Sequence, residues 1–162
     1  PMRSAASSMD EAAERMGEEL RRRIIDLFGR SLAIREVDAG SCNGCEVEVN
    51  ALTNAIHDIE RFGMHIVASP RHADMLLVTG AVTRNMEHPL LKTYRAVPSP
   101  KMVVALGACA ISGGPFGRSY AVVGPVDRFL PVDAYVPGCP PRPQAIIHGI
   151  MVALDRWEER SR

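Results

Sequence analysis

The chain begins with a polar stretch and then changes to a pattern typical of an amphipathic helix. Residues 1–8 are small and polar without periodicity, so we expect them to be disordered. Between Met9 and Phe28, apolar residues recur at helical spacing, acidic residues come early and arginines come late, as the helix dipole favours. The pattern predicts an amphipathic helix that ends near Gly29. Its apolar stripe either packs on its own domain or docks on a partner or a membrane surface.

From residue 32 onward, short β-rich apolar runs alternate with helical patterns. This alternation is typical of an α/β fold with a mostly parallel sheet. The predicted strands are 32–37, 64–68, 75–79, 101–106 and 134–136. The predicted helices are 46–61, 85–97 and 144–159, and the predicted ordered loops are 107–117 and 123–131. We therefore predict a tail and docking helix at residues 1–31 and a single α/β domain at residues 32–162.

Composition and charge narrow the class of protein. The chain has 162 residues, of which 46% are hydrophobic, and this suffices for one domain with a buried core. Lysine plus arginine equals aspartate plus glutamate at 19 each, so no charge excess indicates a nucleic-acid partner. No apolar run approaches the roughly 20 residues of a membrane span, and the start lacks the pattern of a secretory signal. We expect a soluble, cytoplasmic protein.

The four cysteines each follow the carboxyl end of a predicted strand. Cys42 and Cys45 come after strand 32–37, Cys109 after 101–106, and Cys139 after 134–136. In an open parallel sheet these ends share one edge, where ligands bind near the reversal of strand order. Glycines beside the cysteines allow close backbone approach. We therefore expect the four thiolates to surround a single metal centre.

Three alternative roles for the cysteines compete with a cluster of this kind. Disulfide bonds are disfavoured because nothing indicates export. A thioredoxin-like redox pair would account for Cys42 and Cys45 and leave Cys109 and Cys139 without a role. A structural zinc site usually combines two Cys-x-x-Cys pairs, whereas Cys109 and Cys139 are single. Zinc stays open on chemical grounds, because both kinds of centre accept four thiolates.

Four stretches of the chain are similar to a known family. They are 41–45 (SCNGC), 69–74 (SPRHAD), 106–114 (LGACAISGG) and 136–143 (VPGCPPRP). With them, roughly residues 33–157 resemble the family that contains the small subunit of nickel-iron hydrogenases and the 20 kDa cluster-bearing subunit of respiratory complex I. The resemblance implies a flavodoxin-like fold, which is an open, mostly parallel sheet flanked by helices. It also implies one 4Fe-4S cluster on Cys42, Cys45, Cys109 and Cys139.

The spacing of the first two cysteines separates branches of this family. The complex I subunit typically carries two adjacent cysteines there, whereas two residues lie between Cys42 and Cys45, as in hydrogenase-type members. The resemblance therefore favours the small subunit of an energy-converting, membrane-bound nickel-iron hydrogenase, a branch related to formate hydrogenlyase. The alternative is a 20 kDa-type subunit of a complex I-like NADH or ferredoxin:quinone oxidoreductase. Because the chain has no further cysteines, we expect at most one cluster.

The resemblance also implies a place in a larger complex. The chain would take electrons from a ferredoxin-like cluster subunit and pass them to a large subunit with a nickel-iron or quinone site. Membrane subunits of the same complex would hold it at the inner face of the cell membrane, as a peripheral protein on the cytoplasmic side. We expect no complete active site and no catalytic residue on this chain.

Several polar residues near these stretches have two interpretations. Glu46 and Glu48 are either solvated acids in the first turn of a helix or carboxylates that face a partner. Arg71, His72 and Asp74 either lie near a subunit contact or form an ordinary turn with a surface ion pair. Arg142 either raises the potential of a cluster by placing positive charge nearby or anchors its loop.

Overall fold

The computed structural model describes residues 2–161 of the chain, and side chains from Glu14 to Arg160. The helices are α1 (Met2–Phe28), α2 (Gly44–Ala51), α3 (Arg84–Ala96), α4 (Gly107–Ser112) and α5 (Pro143–Ser161). The strands are β1 (Leu32–Asp38), β2 (Met64–Ile66), β3 (Met75–Thr79), β4 (Val82–Thr83), β5 (Met102–Leu106), β6 (Val122–Gly124) and β7 (Ala134–Val136). Among the helices in this range, none combines the length and apolar composition needed to cross a membrane.

A five-stranded parallel sheet forms the centre of the fold. Its strand order is β2-β1-β3-β5-β7. Counted among these five strands alone, the order is 2-1-3-4-5, which is the flavodoxin-like arrangement. The order reverses between β1 and β3, and the carboxyl ends beside this point are where such sheets bind ligands. Strands β4 and β6 form a separate antiparallel pair. The predicted α/β fold is confirmed.

The central strands are apolar because helices cover both faces of the sheet. Every residue of β3 and of β5 is buried, so their sequences read as continuous apolar runs. One core cluster joins α1, α2 and α5 to one face, and a second joins α3 and α4 to the other. Alternate strand residues therefore enter different clusters, as Leu77 and Val78 do.

Helix α1 packs its apolar stripe against the domain. Leu20 and Ile24 are completely buried, and Met16 and Leu27 pack against the same core. Of the two predicted roles of the stripe, packing on its own domain is the one seen for these residues. The first turns of α1 include residues 2–8, where we predicted disorder, but their side chains lie outside the described residues. That prediction and the predicted division at residue 31 therefore stay predictions.

Three of the predicted elements, one helix and two loops, differ from the structure. Helix α2 ends at Ala51 and not at residue 61, because the side chain of Asn54 accepts hydrogen bonds from the amides of Ile56 and His57. Asp58 then adopts left-handed backbone angles before a 3-10 turn, Ile59–Phe62. The predicted loops at 107–117 and 123–131 contain α4, the end of β6 and the 3-10 turns Gly114–Phe116 and Val126–Arg128.

Helix α5 depends on a glycine where it crosses β7. A Cβ added at Gly149 would come within 2.2 Å of Cγ2 of Val136. We therefore expect Gly149→Ala to lower the free energy of unfolding by about 1–3 kcal/mol, the typical range for overpacking a core. This decrease is expected even though alanine has a higher helix propensity than glycine. Chemical denaturation measures the change.

A double-mutant cycle with Val136→Ala provides the control. The destabilisation caused by Gly149→Ala is expected to be smaller in the Val136→Ala background, because the added methyl group then has room. If Gly149→Ala were as stable as the parent protein, the close packing of α5 on β7 would be contradicted.

Candidate metal centre

The four cysteines meet at the carboxyl edge of the sheet. Cys42 lies in the turn between β1 and α2, and Cys45 in the first turn of α2. Cys109 lies on α4, which follows β5 directly, and Cys139 follows β7. The structure therefore brings all four predicted residues together, and their role as ligands stays a prediction.

One cavity collects the four thiols. It is lined by Ser41, Cys42, Gly44, Cys45, Gly80, Ala108, Cys109, Gly138, Cys139 and Pro140. Its volume is ≈ 90 Å³, measured as space open to the centre of a water-sized sphere. On such a measure one water molecule needs about 10–15 Å³, so this cavity has room for a group of several atoms. Among the described residues, no three or more His, Cys, Asp or Glu side chains are arranged to hold a single metal ion.

The cavity has a buried inner side and an exposed outer side. Cys109 is only 7% exposed and Cys45 is partly buried, whereas Cys42 and Cys139 are exposed. The sulfur of Cys45 lies 3.9 Å from the carbonyl oxygen of Leu106, to which its thiol can donate. A group held by all four sulfurs would therefore be shielded from water on one side and reach the surface on the other.

Gly107 allows two cysteine-bearing segments to approach each other. Its φ is +87°, and a Cβ at this position would lie 2.6 Å from Sγ of Cys45. The next residue, Ala108, donates its amide to the carbonyl oxygen of Gly138 over 2.8 Å. The segments that carry Cys109 and Cys139 are thus joined directly by a backbone hydrogen bond.

The turn that carries Cys42 is held by Asp38, a residue that the sequence interpretation missed. The carboxylate of Asp38 accepts hydrogen bonds from the amides of Gly40 and Ser41, each 2.7 Å long. On the other side, Gly80 permits close contact, since a Cβ there would lie 2.4 Å from the amide nitrogen of Ser41. The available signal was an aspartate two positions before a glycine at a strand end, which is typical of an Asx turn.

Burial and negative charge keep the inner thiols protonated. Burial raises the pKa of Cys45 to about 12, and the carboxylate of Glu46 and the three other cysteines add to this increase. The pKa of Cys109 is also raised, first by burial and then by Cys139, Cys42 and Glu46. Because a metal binds thiolates, its binding here must displace protons, and its positive charge must offset this repulsion.

Glu46 differs from the solvated first-turn acid that we considered. Both of its carboxylate oxygens are buried, and neither has a hydrogen-bond partner. Its charge raises the pKa of Glu36 on β1, where burial is the larger cause. The interpretation as a solvated acid is therefore wrong for Glu46, while Glu48 is partly exposed.

The remaining candidates lie outside the cavity lining. Asp74 precedes β3, at the opposite edge of the sheet, and accepts two hydrogen bonds from Arg30 at 2.8 and 2.6 Å. Arg71 and His72 are exposed on a 3-10 turn. Arg142 is exposed, and its carbonyl oxygen accepts the first amides of α5. For Asp74, the contacts with Arg30 favour the role of an ion-paired residue in an ordinary turn over a partner contact.

The fold and the cavity define an α/β protein with a cysteine-rich site at the switch point of its parallel sheet. The chain belongs to the family of the NADH ubiquinone oxidoreductase 20 kDa subunit, which matches residues 42–153. The matched region begins at the first cysteine and includes all four. The predicted family is confirmed.

Relatives of the chain carry the names of hydrogenases and of quinone oxidoreductases. Formate hydrogenlyase subunit 7 of Escherichia coli (strain K12) is 45% identical over 153 residues, which is 94% of this chain and 58% of the relative. The probable membrane-bound hydrogenase subunit mbhJ of Pyrococcus furiosus is 47% identical, covering 86% of this chain and 85% of the relative. An NADH-quinone oxidoreductase subunit of Clostridium beijerinckii is 50% identical, covering 69% and 67%. The chain thus spans little more than half of the formate hydrogenlyase subunit.

A solved structure shows the same architecture. A chain of the membrane-bound sulfane sulfur reductase, an archaeal respiratory membrane complex, matches with a TM-score of 0.70 and 38% identity. The match covers 80% of this chain and 72% of that one. The similarity therefore extends over most of the domain.

The raised pKa of Cys45 predicts a loss of stability of the metal-free protein at alkaline pH. The thiol ionises near its ordinary pKa of 9.0 when unfolded and at about 12 when folded. Its contribution to stability is therefore fully present below the unfolded value and is lost as the pH rises towards the folded value. Between these two pKa values, we expect the free energy of unfolding of the metal-free parent protein to fall more steeply with pH than that of the Cys45→Ala variant. Urea denaturation at a series of pH values measures both.

Cys109 is present in both proteins, so its own ionisation cancels in the comparison. An alkaline decrease of the same slope in the parent protein and in Cys45→Ala would contradict the effect of burial on this thiol.

Proposed function

We propose that the chain is an electron-transfer subunit that holds one 4Fe-4S cluster on Cys42, Cys45, Cys109 and Cys139. The observation that carries the proposal is that thiols from three separate segments line one cavity with room for a group of several atoms. The resemblance to cluster-bearing subunits supports the same ligands.

The size of the cavity favours a cluster over a structural zinc ion. Zinc lies about 2.3 Å from each sulfur ligand, so four thiolates around one ion leave no further space between them. The volume of ≈ 90 Å³ is much larger than such a site needs. Four thiolates and a glycine-lined approach fit a 4Fe-4S cluster.

The chain itself would fix the position of the cluster and determine its chemical environment. A 4Fe-4S cluster, when bound, supplies a one-electron redox couple whose potential depends on charge, hydrogen bonds and solvent exposure. Cys45 and Cys109 provide the ligands on the buried side, where the core excludes water. Cys42 and Cys139 provide those on the exposed side, where a partner subunit would approach. No residue of this chain is assigned a catalytic role.

Exposed apolar side chains on the segments that follow Cys45 and Cys109 support a partner contact. Val47, two positions after Cys45, is 58% exposed, and Phe116, in the turn after α4, is 43% exposed. Tyr120 in the same loop is 89% exposed. Exposed apolar groups beside a site indicate an interaction surface. We propose that a large subunit with a nickel-iron or quinone site covers them, and that a ferredoxin-like subunit and membrane subunits complete a complex peripheral to the inner face of the membrane.

Of the two branches, the hydrogenase type is better supported. Two residues separate Cys42 from Cys45, as in the hydrogenase branch. We therefore propose a nickel-iron hydrogenase small subunit, with a complex I-like NADH or ferredoxin:quinone oxidoreductase as the alternative.

The proposed ligands can be tested on the full chain. We expect the protein to contain iron and acid-labile sulfide and to give a paramagnetic resonance signal after reduction with dithionite. Cys109→Ala removes the most buried ligand, so its iron content is expected to fall to less than about a tenth of the parent value, since a cluster needs all its ligands. Iron and sulfide analysis measures the loss.

His88→Ala is a suitable control, because His88 is exposed on α3 and does not line the cavity. Its iron content is expected to equal that of the parent protein. Zinc in place of iron, without a signal after reduction, would reject the redox function, and unchanged iron in Cys109→Ala would reject the ligand set.

The branch is tested on the complex that co-purifies with the chain. A hydrogenase is expected to evolve hydrogen from a reduced viologen, and to do so at less than about a tenth of the parent rate when the chain carries Cys109→Ala, because the relay is interrupted. His88→Ala again serves as the control. Quinone reduction without hydrogen evolution would instead assign the chain to the complex I-like branch.

A further inference from the structure

Cys42 is held in place differently from the three other cysteines. Cys45 and Cys109 lie on helices, α2 and α4, whose backbone hydrogen bonds fix their positions. The segment of Cys139 is tied to that of Cys109 by a backbone hydrogen bond. Cys42 lies in the turn between β1 and α2, so its position depends on the contacts that hold this turn.

The turn is connected to the sheet in two steps. Backbone hydrogen bonds anchor its start at Ala39, whose amide donates to β3 and whose carbonyl oxygen accepts an amide of β4, both over 2.9 Å. The next two amides, those of Gly40 and Ser41, donate to the carboxylate of Asp38, each over 2.7 Å. Because Asp38 is the last residue of β1, its side chain links the end of the sheet to the residue directly before Cys42.

The backbone of the turn adopts angles that need such support. Gly40 has a φ of 125° and Asn43 a φ of 70°, values that few residues other than glycine adopt. Gly40 also packs closely on β4, because a Cβ there would lie 2.3 Å from Cγ2 of Thr83. Without the acceptor that holds its amides, this segment would relax and carry Cys42 with it.

The contacts of Asp38 serve the turn and not the core. Its side chain is exposed at the end of β1. It does not line the cavity, whereas Ser41 and Cys42 do. Hydrogen bonds between a carboxylate and backbone amides are short and comparatively strong. Asp38 therefore acts on the site through the turn.

We propose that Asp38 is a positioning residue for Cys42, which keeps the sulfur of this cysteine within reach of the cluster. The inference rests on the proposed function, because it requires that the cluster binds. The position of the acceptor oxygen matters, and the negative charge does not. Aspartate and asparagine both form turns of this kind, whereas glutamate keeps the charge and places its oxygens one bond further from the backbone. Because Cys42 is exposed, a displaced sulfur would open the cluster to small molecules in solution.

The test measures how fast the full chain with its cluster loses iron to a chelator in the absence of oxygen. Asp38→Ala is expected to lose iron about tenfold faster than the parent protein, since two hydrogen bonds to a charged group are removed. Asp38→Glu keeps the charge without the geometry and is expected to resemble Asp38→Ala. Asp38→Asn keeps an acceptor in place and is expected to stay close to the parent rate. The paramagnetic resonance spectrum of the reduced cluster is expected to change in the alanine and glutamate variants and not in the asparagine variant.

Asp74→Ala is the matched control. Asp74 also accepts a backbone amide, that of Ala33 over 3.0 Å, but it precedes β3 at the opposite edge of the sheet. Its loss is expected to lower the free energy of unfolding of the metal-free protein and to leave the rate of iron loss at the parent value. Asp38→Glu also replaces Asp38→Ala in the comparison if the alanine variant does not fold.

Three results would overturn the inference. The first is a parent rate of iron loss in Asp38→Ala and Asp38→Glu. The second is a rate that follows charge, with Asp38→Glu like the parent protein and Asp38→Asn like Asp38→Ala. The third is an equal acceleration in Asp74→Ala, which would show that the rate follows the stability of the fold. A parent chain that binds no iron and sulfide would overturn the proposed function itself, and this inference with it.

Discussion

The site depends on the register of the parallel strands. The last residues of β1, β3, β5 and β7 lie side by side, in the pairs Asp38 with Thr79, Thr79 with Leu106, and Leu106 with Val136. Each cysteine-bearing segment therefore starts from the same line across the sheet. With strands about 4.8 Å apart, the outer two of these four strands are separated by about 14 Å, a distance that short turns can close. The register is set in turn by the buried apolar faces, because a one-residue slip would expose them.

Close approach of the turns is a second constraint, and it creates an electrostatic difficulty. The same contacts that bring four sulfurs to one cavity also exclude water from Cys45 and Cys109, and they place Glu46 beside them. Each of these features disfavours thiolates. The inner side of the site therefore favours protonated thiols at Cys45 and Cys109 and accepts thiolates there only together with positive ions. Metal binding and ionisation of Cys45 and Cys109 are coupled, because both thiols resist ionisation until a metal ion is available.

Sequence patterns predicted those features that depend on repeated, local signals. The central strands were found because both faces are buried, and the cysteine positions followed from the strand ends. The early end of α2 was not found, since it results from side-chain hydrogen bonds of Asn54 that compete with the helix. The glycine-rich stretch at 107–117 predicts a loop, whereas the structure has helix α4, which begins at Gly107 with a φ of +87° that allows the close approach of Cys45. The burial of Glu46 was not predicted either, because it depends on tertiary packing that has no local signal in the sequence.

The two edges of the sheet use buried charge in different ways. At the amino edge, Asp74 accepts the amide of Ala33 and pairs with Arg30, and Asp133 is satisfied by a backbone amide and an arginine. These contacts hold the connections that enter β3 and β7. At the carboxyl edge, the two carboxylate oxygens of Glu46 are buried and have no hydrogen-bond partner within the described residues. Natural proteins tolerate such local instability mainly at functional sites, where the environment of a reacting group matters more than the stability of the fold. The satisfied carboxylates at the amino edge thus stabilise the fold, whereas Glu46 is buried without a hydrogen bond directly after Cys45, at the edge that carries the cysteines.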